Sequence, residues 1–323
     1  MTNKVDTVKK FFCTVAAAFA LVSTVLHAAD PADFIPAGMS VVSRYDCVQL
    51  KKLSWVADLV KEKFPATVKL IACFDQMSIL FWNKLGNSSG KIIYAAGEPD
   101  EDSGIVLFNI KVPESEFVQC LKGLPASVKY GESEIAGCKL YTFSTENIEG
   151  TVALVYLAED VVMLTLLNED VANLILRAKK RSGNQLVKSL NNRATLSLVM
   201  QGDPDGNSPA SFADMVLNIN DKQNAQQTLL NLKANVLFRE KHEASNIIKT
   251  LRLAVPAAAS AIFSKDPRLL GDVIAGWRVS GSGNVVNFKF SIRRQNLEKV
   301  ISYLADPANR EVLEDAMNAL RSF

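Results

Sequence analysis

The sequence predicts an α+β fold: a predominantly antiparallel sheet with helices packed on one face, built as two related halves. Three observations carry this. A strand–turn–helix unit is clearest over residues 104–122, and similar units are read at 160–176, 213–230 and 285–303. Between residues 127 and 167 four strand-like runs follow one another at hairpin distances, which suits antiparallel pairing better than crossover units. Finally, 323 residues that are 48% hydrophobic and 22% charged describe a globular chain, long enough for one large core or two ordinary domains. The polar stretch 181–185 is the natural boundary, giving halves at 29–184 and 185–323. One sheet running through both satisfies the same pattern.

The N-terminus reads separately. Lys4, Lys9 and Lys10 precede an apolar run from Phe11 to Leu26, and the small residues Ala28 and Ala29 follow. This is the layout of a signal peptide over residues 1–28, cleaved after Ala28 or nearby, so the chain is expected to be exported to the periplasm or beyond the cell. Leu26 is bulky for the third position before such a bond, which leaves the exact bond open. The alternative is an uncleaved anchor, since residues 11–29 just suffice to span a bilayer. No later run of that length lacks charges, so no permanent span is expected after cleavage. Cys13 follows Lys10, Phe11 and Phe12, which does not suit lipidation. The full chain carries 36 Lys plus Arg against 34 Asp plus Glu; the leader takes three Lys and one Asp with it, leaving 33 against 33. A neutral mature chain has no field to gather nucleic acid or an anionic membrane.

Element by element, residues 39–45 alternate as a first strand, and Asp46 is placed to cap a helix that Pro65 ends. A second helix is expected over 68–85. Strands at 91–96 and 104–112 precede a helix opened by Pro113, with Glu114 and Glu116 at its positive end. Strands follow at 127–134, 138–143, 150–157 and 161–167, then a helix capped by Asn168 and running to about Lys180. The second half begins with strands at 193–201 and 213–219. Asp221 is expected to cap a helix through Leu232, followed by helices at 233–254 and 257–263 separated near Pro256. Asp266-Pro267 is read as the end of that region. A hairpin of 272–280 and 284–292 turns at residues 281–283. Helices at 295–304 and 309–320 close the chain.

Site chemistry is sparse. His27 lies in the leader, which leaves His242 among Glu240, Lys241 and Glu243, an ordinary solvated helix surface. No histidine zinc site, nucleophile elbow or phosphate loop is present in the motifs, and no cofactor or metal is expected. The acidic stretches 98–102 and 203–207 lack the ligand spacing of a calcium loop and read as turns. Lys179-Lys180-Arg181 reads as a helix C-terminus. Cys47, Cys73, Cys120 and Cys138 remain after cleavage, an even number in an oxidising compartment. Cys120–Cys138 is the first pairing considered, with Cys47–Cys73 by elimination; buried thiols are the alternative.

The functional lead is apolar recognition. Phe74, Met77, Phe81 and Trp82 supply one apolar group, and Val255, Ile262 and Phe263, with the alanines 257–259, supply another. Core packing is the leading explanation of such residues. A helix layer over a sheet can also leave a hydrophobic groove for an envelope protein, a peptide or a lipid. The opening Phe34-Ile-Pro-Ala-Gly-Met-Ser-Val-Val resembles that of poorly characterised exported bacterial proteins, in which a Pro-Ala segment leads into the first strand. That resemblance implies an envelope location and no reaction chemistry. The expected function is a noncatalytic envelope protein that binds a protein, peptide or hydrophobic ligand. A structural or assembly role with a homotypic interface is the alternative, and a hydrolase with a spatially assembled site is a third.

Overall fold

A computed structural model describes residues 29–50, 55, 89–98, 104–110, 114–122, 128–145, 151–167, 170–202, 209–220, 228–264, 266–306 and 309. The expected leader and the helix expected at 68–85 lie outside these residues, as does all but Asn309 of the one expected at 309–320. The strands are β1 (Val41–Asp46), β2 (Ser89–Gly97), β3 (Gly104–Ile110), β4 (Val128–Ile135), β5 (Cys138–Thr145) and β6 (Val152–Ala158) in the first part of the chain. They continue as β7 (Val161–Leu166), β8 (Leu196–Gln201), β9 (Ala210–Asn220), β10 (Leu229–Phe238), β11 (Trp277–Ser282) and β12 (Val285–Arg293). All join one antiparallel sheet in the order β11-β12-β10-β9-β8-β1-β2-β3-β7-β6-β5-β4.

The inner part of that order repeats on either side of the β1–β8 pair, where Val41 lies opposite Met200 and Tyr45 opposite Leu196, and the side of β1 extends further, by β6, β5 and β4 against β11 alone. On one side β1, β2 and β3 form a meander, and the chain returns to pair β7 with β3. On the other, β8, β9 and β10 form a meander, and the chain returns to pair β12 with β10. Two related halves therefore share one continuous sheet.

The helices are α1 (Cys47–Leu50), α2 (Glu114–Lys122), α3 (Val171–Lys179), α4 (Lys241–Ile262), α5 (Pro267–Gly276) and α6 (Arg294–Ala305). The register fixes which side chains share a face, because directly opposite residues point the same way. Val106, Phe108, Tyr141, Leu154 and Val162 lie on one face, and Val118 of α2 packs onto them. Val236, Val279, Val286 and Phe288 lie on the same face further along, under Ala244, Ile248 and Leu251 of α4. So the helices that follow β3 and β10 pack on one face of the sheet. The other face of the N-terminal half holds the largest core. There Val42, Leu107, Leu140, Val155 and Met163 are sealed by the 3-10 turn Pro31–Phe34, by α3 and by the 3-10 turn Gln185–Ser189. The same face of the C-terminal half carries Asp214, Asn231, Lys233, Asn235, Asn287 and Lys289, with Asn235 bonded to Asp214 at 2.9 Å and Ser291 to Asn231 at 2.7 Å. An antiparallel sheet tolerates such a wet face.

Several elements differ from expectation. Residues 229–238 form β10 and not a helix: Leu230, Leu232, Ala234, Val236 and Phe238 alternate with Asn231, Lys233, Asn235 and Leu237, and β9 and β12 pair on either side. The unit read at 213–230 therefore ends in a strand and not a helix, and residues 221–227 lie outside the described residues. Pro256 does not divide two helices but sits inside α4, whose flanking alanines are strong helix formers and whose Ala254 and Ala259 are buried. Asp266-Pro267 opens α5 where a stop was expected: the Asp266 carboxylate accepts from the Leu269 amide at 2.9 Å, and Pro267 takes the first helical position. The strand expected from residue 272 consequently begins only at Trp277. Asp170, not Asn168, stands at the N-terminal boundary of α3.

Candidate interaction surface

α4 spans 22 residues, about 33 Å at the usual helical rise. Its start is fixed by a reciprocal capping box in which Glu240 and Glu243 each accept from the other's backbone amide. His242 projects outward here, its Nδ1 2.8 Å from the exposed Glu240 carboxylate. From that start the inward stripe runs Ala244, Ile248, Leu251 against β10–β12, then Ala259, Ile262 and Phe263 against Leu269 of α5 and Val300 and Tyr303 of α6. The Phe263 and Tyr303 rings meet at 5.3 Å and 57°. Small residues at 244, 254 and 259 let the helix approach closely.

The outward stripe changes character along the helix. His242, Asn246 and Lys249 occupy its first half, and Leu253, Ala257, Ser260 and Ala261 its second. Leu253 is 71% exposed, and Ile247, six residues earlier, is exposed at 36%. Residues 253–264 carry no charge. The nearest cation on the N-terminal side, Arg252, donates through Nη2 to the Val279 carbonyl at 3.4 Å, which draws its charge towards the sheet. The result is an uncharged, partly apolar strip on the second half of the helix.

The residues singled out from sequence fall unevenly around this strip. Phe74, Met77, Phe81 and Trp82 lie outside the described residues. Phe263 is buried at 4% exposure and Ile262 is half-buried in the same cluster, so these two come together within the α4–α6 layer. Val255 is half-buried and stands apart from that cluster. Leu253 and Ile247, the most exposed large apolar residues of α4, were not singled out. The spacing of 253, 257 and 261 along one side of an uncharged stretch is the signal that reveals them.

A second concavity lies at the sheet end, between the β4–β5 and β6–β7 turns. It measures about 460 Å³ and is lined by Glu114, Cys138, Lys139, Tyr156, Glu159 and Lys179, among others. The Ala136-Gly137 turn beside it holds both residues at positive φ, 53° and 66°, as a two-residue hairpin requires. The Tyr141 hydroxyl donates to the Glu114 carboxylate at its margin. Burial, and then that bond, push the phenol well above its ordinary value. Lys139 stands 3.9 Å from Glu114, an exposed and weak pair. These opposed charges give the cleft no single sign. Cys138 is a buried free thiol. Cys73 and the Cys120 side chain lie outside the described residues, so the two expected pairings carry no weight here.

Among the described residues no group of three or more His, Cys, Asp or Glu side chains is placed to hold a metal ion. No helix among them is long and apolar enough to cross a membrane. No family model and no curated protein matches the chain. Among solved structures it is similar to the chain in crystal form III of TP0453, at a TM-score of 0.49 and 11% identity, over 85% of this chain and 98% of that one. For crystal form I of TP0453 the TM-score is 0.46 at 10% identity, over 86% and 98%. Likeness at this level carries no argument about what the chain does.

Proposed function

We propose that this chain is a noncatalytic envelope protein that binds an apolar segment of a protein or peptide along the second half of α4. The exposure of Leu253 on an uncharged strip of an otherwise well-packed helix is the observation that supports it. Enclosing a leucine of this kind is worth about 1.5–3 kcal/mol. That is roughly a ten- to hundredfold gain in affinity from one side chain. Ala257 and Ala261 allow a partner's backbone to approach, and the helix is already formed before binding. A segment with alternating or helical apolar positions fits such a strip, whereas a small polar metabolite has nothing to hold it there.

The test is recovery of native complexes. Protein isolated from its own envelope, analysed by native mass spectrometry, is expected to carry a defined protein or peptide partner, and Leu253→Asp is expected to lose it while keeping the wild-type circular dichroism. A partner retained by the well-folded Leu253→Asp variant would refute the assignment of the surface. A bound mass equal to a second copy of the chain would instead establish the assembly role.

A further inference from the structure

The segment that follows the expected leader is part of the main core. Ala32, Phe34, Ile35 and Met39 are each 6% exposed or less, and Ala29 packs against the same cluster. The Ala29 carbonyl accepts from Nδ2 of Asn109, on β3, at 2.9 Å. That same amide nitrogen lies 3.3 Å from the Oδ2 of Asp160, in the β6–β7 turn. The carboxylate of Asp160 is therefore one amide group away from the backbone of residue 29. Asp30 adds a second negative charge as the cap of the 3-10 turn, accepting from the Ala32 amide at 3.0 Å, and Asp33 a third. Two cations near this segment are engaged elsewhere. Arg44 donates to the Ala194 carbonyl at 3.1 Å and lies against Tyr94, and Arg181 sits over the Phe34 ring at 4.4 Å.

We propose that the leader is cut between Ala28 and Ala29, and that the ammonium released on Ala29 docks beside Asp160 and Asn109 as the last interaction completing the N-terminal core. A cut one bond later removes the carbonyl that Asn109 holds. In a chain left uncut the nitrogen of Ala29 is a neutral peptide nitrogen and brings no charge to the Asp160 carboxylate. Hydrolysis of the 28–29 bond by a leader peptidase adds one water, leaving a carboxylate on Ala28 and the ammonium on Ala29. The new positive charge thus appears where this cluster accommodates it. The inference holds whatever partner α4 takes.

The full-length precursor, expressed in a bacterium able to export it, is purified and its intact mass measured. The expected mass begins at Ala29; a mass beginning at Asp30 or later, or one retaining the leader, would overturn the proposal. The pH midpoint for acylation of the α-amine then tests the docking. In the mature chain it is expected above the ordinary range of about 7.7–8.0. It should return to that range in Asp160→Asn, and in a chain carrying one extra Gly ahead of Ala29, which leaves the turn untouched. An ordinary midpoint in the mature chain, or one unchanged by both alterations, would contradict it.

Discussion

Tyr141 is 2% exposed and gives its hydroxyl proton to Glu114, and both burial and that bond favour the protonated phenol. Its folded value lies above that of the unfolded chain, so its contribution is complete below about pH 10 and is lost as pH rises from there. Denaturant titrations between pH 8 and 11 are expected to show stability falling above pH 10, and Tyr141→Phe is expected to flatten that fall. Equal slopes in the two proteins would mean that another group is responsible. Asn184 acts at the same scale and is 5% exposed. It donates to the carbonyls of Pro36 and Met39, each at 2.8 Å, and accepts from the Leu186 amide at 2.9 Å. Asn184→Ala strands these backbone groups and is expected to cost about 2–4 kcal/mol in urea denaturation. A change below 0.5 kcal/mol would show that water replaces the side chain without loss.

At the scale of elements, junctions decide what the sequence makes legible. The strands from 128 to 166 were readable because short turns join β4 to β5 and β6 to β7, and because β6 and β7 are near-continuous apolar runs. β10 was misread although Asn231, Lys233 and Asn235 alternate with apolar residues at the period of a strand: the run was divided at Leu232 between two expected helices, so the alternation was not followed across it. Pro256 was misread because its flanking alanines carry the helix through it, and Asp266-Pro267 because proline opens a helix as well as ending one; the Leu269 amide bonded to the Asp266 carboxylate marks the opening. The α5–β11 junction offers a test. A side chain at Gly276 would meet the Ser291 carbonyl oxygen at 2.2 Å, so the helix reaches β12 only because no Cβ is present. Gly276→Ala is expected to destabilise by at least 2 kcal/mol in chemical denaturation. Near-neutral behaviour would show that the helix end shifts freely. The apolar strip of α4 was half legible. Its lack of charge is written in the sequence, but which side chains face outward depends on the packing of α5 and α6.

At the scale of the molecule, the β1–β8 seam makes the two halves one structure. Arg44 reaches across it to the Ala194 carbonyl, and Asn184 ties the chain between halves to the opening segment. Unfolding is therefore expected to follow a single transition, with tryptophan fluorescence and far-ultraviolet circular dichroism coinciding. Two separated transitions would mean that the halves are independent. The strip on α4 and the polar face of β9, β10 and β12 lie on opposite sides of this single body, which allows a comparison within one molecule. A photo-crosslinking residue is placed at position 253 or, as the control, at position 233, and the protein is irradiated in intact cells that produce it. A discrete protein adduct at 253 and none at 233 is the predicted result. No adduct at 253, or equal adducts at both positions, would contradict recognition through α4.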